Sequence, residues 1–172
     1  MTDLRYLQGY PESVRDSALA LLERGEAGAY VDRRYPEAHE VRSDAALYAY
    51  VQSLKTRHLR TAPPLSKVCF DDRLEQLHQA LGTHTAVSRV QGRQLKAKRE
   101  IRVARLFIEA PAAFLRMIVV HELAHLRERE HDKAFYALCC HMEPDYHQLE
   151  FDTRLWLCAR QSARVLQRAA GR

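Results

Sequence analysis

The sequence predicts an α+β fold, in which a helical N-terminal part precedes a small sheet and a pair of helices that carry the chemistry. Three observations predict it. Apolar residues recur at helical spacing before Thr61 and again after Pro111. Short alternating or Val/Thr-rich segments lie between them. The tract Thr61-Ala62-Pro63-Pro64 breaks the first helical region, which divides the chain into an expected helical extension over 1–62 and a core over 63–172. A length of 172 residues suits one domain of this kind.

Pro11 to Glu23 reads as the first helix, with Pro at its start, Val14, Leu19, Leu21 and Leu22 within it, and Gly25 stopping it. A short helix fits before Pro36. Ser43 or Asp44 can cap the next, which places Leu47, Tyr48, Val51, Leu54 and His58 on one side. Lys67 to Phe70 reads as a short strand. Leu74 to Leu81 is ambiguous between helix and extended chain. Thr83 to Val90 reads as a strand, Gln91-Gly92 as a turn, and Leu95 to Val103 as a second strand. In that second strand Leu95, Ala97, Ile101 and Val103 share one face, with Arg99 an exception, while Lys96, Lys98, Glu100 and Arg102 share the other. The result is an expected hairpin with a basic outer face, just ahead of the next helix.

Pro111 opens that helix. At about 100° per residue, Phe114, Ile118, His121 and His125 fall on one face. Apolar residues cover most of the remainder, and Arg116 and Arg127 mark a narrow solvent stripe, so the helix is expected to be buried. Within it, His121-Glu122-Leu123-Ala124-His125 spells H-E-x-x-H. Histidines four apart lie one turn from each other and can share one metal ion. The glutamate between them can take a proton from a water activated at that metal. Burying two imidazoles and a carboxyl without partners costs roughly 2–7 kcal/mol each, and a metal satisfies all three together.

A third ligand is expected downstream. If the helix continued, His131 would sit about 240° from His125 and could not reach the same ion. The helix is therefore expected to end near Arg129 or Glu130, with Asp132 capping a new helix through Lys133, Phe135, Tyr136 and Leu138. His131 then turns back toward the metal. His141, Glu143 and Glu150 are the rival third ligands. Tyr136 and Tyr146 are available to stabilise an oxyanion or simply to pack. His141, His147 and Trp156 read as packing residues, the last in a C-terminal helix ending around Gln167. Cys139 and Cys140 read as small core residues.

The charge is +5 overall, but it is concentrated. Between Arg89 and Arg105 seven basic residues face the single acid Glu100. Such a run suits an acidic substrate, a nucleotide or a nucleic acid, or else a solvated strand face. Lys96, Lys98, Arg102 and Arg105, with Tyr136, are the expected substrate contacts. No apolar run is long enough for a membrane span, and the N-terminus has no signal-peptide core. The four cysteines form no C-x-x-C pair, which points to reduced thiols and a cytoplasmic protein.

Val119-Val120-His121-Glu122-Leu123-Ala124-His125, followed by His131 and Phe135, resembles the YgjP-like metallopeptidase family, whose relatives include the minigluzincin, SprT-like and WLM proteases. The resemblance extends through Tyr6 to Pro11, Thr83 to Val90 and Asp152 to Leu157. It implies a zincin-like minimal core, zinc held by His121, His125 and His131, and Glu122 as general base. It also implies a sheet edge at Arg99 to Arg105 where a peptide could add as a strand. Many wider relatives carry a tryptophan-glycine-serine-cysteine segment where this chain has Ala86-Val87-Ser88-Arg89. Proteins of this family have also been assigned a UTP pyrophosphatase activity that yields UMP and diphosphate, and magnesium could then accompany the nucleotide. The basic hairpin suits a triphosphate, although neither a Gly-rich phosphate loop nor a carboxylate cluster for magnesium is evident. Three readings stand: a zinc metallopeptidase, a nucleotide pyrophosphatase at the same centre, and a zinc-stabilised module that binds nucleic acid. The last leaves Glu122 without a purpose.

Overall fold

The computed structural model describes residues 4–75 and 99–170, in two compact units. One comprises Met1–Glu37 together with His147–Arg172, and the other Ala38–Tyr146. The Thr61 to Pro64 break is a bend inside the second unit, between a helix and a strand.

The first unit is helical. Pro11, with φ −53° and ψ 149°, starts helix α1 (Glu12–Glu23), which ends where Gly25 adopts φ 70°. Helix α2 (Ala27–Arg34) follows, and the C-terminal helix α6 (Tyr146–Ala170) runs to the end of the described chain. Leu7, Ala18, Leu22, Ala27, Leu155 and Cys158 form its apolar centre. Asp152, fully buried on α6, is satisfied by the hydroxyls of Tyr30 (3.2 Å) and Tyr35 (2.5 Å) and by Gln148 (3.0 Å). Trp156 is buried as expected, with the Arg160 guanidinium 5.0 Å from its ring centre.

The second unit is α+β. Helix α3 (Asp44–His58) starts at Ser43, whose hydroxyl accepts the Ala46 N–H at 3.2 Å. Leu47, Val51 and Leu54 are its buried side. Tyr48 departs from the expected stripe: at 42% exposure it lies on the solvent side, one residue round from Leu47. The Asp44 carboxylate accepts the backbone N–H of Phe70 (2.9 Å) and so ties α3 to strand β1 (Lys67–Asp71). Strand β1 pairs in parallel with β2 (Glu100–Ala104), Lys67 opposite Glu100 and Asp71 opposite Ala104. Val68, Cys69 and Phe70 are buried in succession, as in a strand covered on both faces. In β2 the expected alternation holds, with Ile101 and Val103 buried and Arg102 exposed. The expected strand over 83–90, the turn at Gln91-Gly92 and the first half of the second strand lie outside the described residues, as does most of the ambiguous 74–81 segment.

A 3-10 turn (Arg105–Glu109) leads to Pro111 and helix α4 (Ala112–Ala124). Nine of its thirteen residues are buried, among them Phe114, Met117, Ile118, Val120 and Leu123, so this helix forms the centre of the unit. Helix α5 (Lys133–Met142) packs beside it. Cys139 is fully buried, Cys140 only partly, and all four cysteines are free thiols. No helix among the described residues is long and apolar enough to cross a membrane.

Candidate metal centre

Helix α4 ends earlier than the expected Arg129 or Glu130, at Ala124 with His125 as its C-cap. The backbone tightens there: Leu126 donates to Leu123 and Arg127 to Ala124, both at 3.0 Å. The His125 ring itself bonds the chain beyond, its Nδ1 lying 2.9 Å from the Glu128 carbonyl oxygen. Glu128 to His131 then cross to the next helix without regular structure. Asp132 stops the crossing as expected: its carboxylate accepts the Phe135 N–H at 3.0 Å and starts α5.

This path brings His121, His125 and His131 together. Their Nε2 atoms lie 3.2 Å (His121–His125), 3.1 Å (His125–His131) and 3.2 Å (His121–His131) apart. The fit to a metal follows from the donor set. Nδ1 of His125 faces a carbonyl oxygen, which can only accept, so Nδ1 carries the proton and Nε2 offers a lone pair. Lone pairs converging at such distances repel unless a cation stands among them. Three nitrogens with these spacings lie on a circle of radius about 1.8 Å, close to the roughly 2.0–2.1 Å of a zinc–nitrogen bond, so the three imidazoles would suit one small divalent cation.

Phe135 underlies the cluster. Fully buried, its ring stacks on His125 (4.5 Å) and meets His131 (4.7 Å) and His121 (5.0 Å) edge-on. Tyr146, expected as a packing residue or an oxyanion donor, is fully buried with its hydroxyl 2.7 Å from His121 Nδ1. No spacing rule links a tyrosine to a histidine 25 residues earlier, so sequence reasoning had no signal for this contact. Tyr136 is half-buried nearby, its ring 6.5 Å from His131 and 6.2 Å from Tyr146.

Glu122 sits between the first two histidines, half-buried on α4. Burial pushes its carboxyl up to about 8. A divalent cation beside it would pull that value back down and favour the carboxylate.

The rival third ligands are engaged elsewhere. Glu143 pairs with Arg116, His141 lies edge-on to His58 at 6.0 Å, and Glu150 holds Arg154 at 2.7 Å in the other unit. Arg116 is thus no part of a bare solvent stripe. Of the expected substrate contacts, Arg102 bonds Asp71 (2.8 Å) and Glu100 (2.9 Å), and Arg105 pairs with Asp72. Lys96 and Lys98 lie outside the described residues.

A carboxyl one residue along from a histidine, beside three converging imidazole nitrogens, suits an enzyme that activates water, and this chain is a metal-dependent hydrolase. It belongs to the YgjP-like family. The family model, described as YgjP-like, metallopeptidase domain, matches residues 64–154. The chain is similar to the UTP pyrophosphatase of Escherichia coli (strain K12), with 60% identity over 157 residues, 91% of this chain and 94% of that protein. No solved structure matches the chain.

Proposed function

We propose that this protein is a zinc-dependent nucleotide pyrophosphatase that hydrolyses UTP to UMP and diphosphate. The observation that carries the reading is the 60% identity, over nearly the whole of both chains, to a protein named for that activity. The family model's own description favours peptide cleavage as a second reading. The motif alone does not separate them, because it specifies only how water is activated.

In this reading His121, His125 and His131 hold the zinc in a zincin-like core. The bound ion would supply Lewis acidity toward a substrate oxygen and toward water. Glu122 accepts the proton of the attacking water as a new oxygen–phosphorus bond forms on the α side of the anhydride. The old bond to the β-phosphate oxygen breaks and its electrons leave with diphosphate. Phe135 keeps water from the protein side of the imidazoles. Arg102, Arg105 and Tyr136 are the described residues proposed to contact the nucleotide. To do so, the two arginines must share donors now given to Asp71, Glu100 and Asp72. The four free thiols support a reducing compartment such as the cytoplasm.

The test compares wild type and Glu122→Gln, both zinc-loaded, on UTP, ATP and a peptide library. Diphosphate release from UTP that Gln abolishes is the expected result. Glu122-dependent peptide cleavage without diphosphate release would replace this reading with the second.

A further inference from the structure

We infer that Tyr146 is a positioning residue that fixes the His121 imidazole for metal binding, and that Arg116 and Glu143 hold the turn that presents it. The inference rests on the reading of the three histidines as metal ligands.

Tyr146 is the first residue of α6 and the last of the second unit, so its contact with His121 lies within that unit. Both side chains are buried, at 0% and 3% exposure, and the 2.7 Å oxygen–nitrogen distance is a short hydrogen bond. With Nε2 turned toward the other two imidazoles, Nδ1 carries the proton and donates it to the phenol oxygen. The ring is thereby locked in one tautomer and one rotation about its Cβ–Cγ bond. His125 is locked the same way by the Glu128 carbonyl. Both acceptors are neutral oxygens, which orient the ligands without adding negative charge near the ion.

The turn before Tyr146 is itself held by α4. Arg116, five residues before His121, pairs with the Glu143 carboxylate and donates to the Met142 carbonyl oxygen at 3.0 Å. The Tyr146 N–H donates to the Glu143 carbonyl oxygen at 3.0 Å, and the Asp145 N–H to the Glu143 carboxylate at 3.3 Å. Helix α4 therefore grips this turn at Arg116 and receives its hydroxyl back at His121. An arginine–glutamate pair that would otherwise be a minor stabilising contact sets where a metal ligand points.

The experiment measures zinc affinity of the full chain by competition with a chromogenic chelator, and the visible spectrum of the cobalt-substituted protein. Wild type should bind one ion per chain and His121→Ala should lose it. Tyr146→Phe keeps the ring and removes only the hydroxyl. It should weaken zinc binding about 10–100-fold and change the cobalt spectrum. Glu143→Gln should shift both in the same direction by less. If wild type binds no ion, the metal reading itself falls. If wild type binds zinc and Tyr146→Phe matches it in affinity and spectrum, the metal reading stands and the positioning role is overturned. Should Tyr146→Phe not fold, nitrogen NMR of zinc-loaded wild type decides. A slowly exchanging Nδ1 proton on His121 supports the bond to Tyr146, and a rapidly exchanging one overturns it.

Discussion

Replacing Glu122 by Gln should change the metal-free protein's stability in a pH-dependent way that can be computed in advance. Burial raises this carboxyl from an ordinary 4.5 to about 8. Above about pH 4.5 the unfolded chain releases the proton, while the folded chain keeps it until about pH 8. The unfolded state then binds fewer protons, so stability falls as pH rises through this window and levels off above it. Each pH unit is worth about 1.4 kcal/mol, so the interval from about pH 5 to 7.5 costs at most about 3 kcal/mol. The side chain is partly reached by solvent, which brings the expectation to roughly half that, about 1.5 kcal/mol. Gln has no proton to lose. In chelator-treated protein, urea unfolding should therefore show Glu122→Gln gaining on wild type by about this amount between pH 5 and 7.5. In zinc-loaded protein the difference should vanish, because the cation lowers the folded value. Parallel pH profiles for the two metal-free proteins would refute the argument that Glu122 is desolvated.

Three further outcomes are expected. His131→Ala removes one of three nitrogens and should weaken zinc binding more than 100-fold in the same chelator competition, with the helical circular-dichroism signal retained. Asp132→Ala removes the cap on α5 and should cost about 1 kcal/mol in urea unfolding. It should also loosen zinc, because His131 immediately precedes the cap, and unchanged affinity would mean that the crossing holds itself. Arg102→Gln removes the ion pairs to Asp71 and Glu100 without adding a like charge, and should cost no more than about 2 kcal/mol. If the arginine contacts the nucleotide, KM for UTP rises several-fold with kcat kept, and an unchanged KM returns β2 to a structural role.

The parts of the site legible in the sequence were those set by local rules. The i, i+4 histidines and the Asp132 cap each depend on a few consecutive residues; the fold brings the two imidazoles together with His131, and Asp132 starts α5. Helix α4 ends about five residues before the expected Arg129 because its C-cap residue, His125, bonds a carbonyl three residues on. Arg116 has no local sign of a partner, because Glu143 lies 27 residues away. The contact of Tyr146 with His121, 25 residues apart, has no local signal for the same reason. In α3, Tyr48 lies about 60° from Val51 on the helical wheel but about 100° from Leu47, and the helix buries a stripe too narrow to include it.

The fold sets carboxylates against the basic strand that its sequence neighbours do not supply. In sequence, Arg102 and Arg105 belong to a run opposed by one acid. In the folded chain the parallel neighbour β1 brings Asp71 against Arg102, and Asp72 in the following turn meets Arg105. Those carboxylates are about thirty residues distant in sequence, so the local field is weaker than the run implies. A triphosphate can still compete, since it offers several charged oxygens where each carboxylate offers two. Any such gain must exceed the exposed ion pairs it displaces, which are worth only about 1 kcal/mol or less apiece. The ion pairs of the strand therefore leave a modest pull on a nucleotide, and the similarity to a UTP pyrophosphatase carries the proposed substrate.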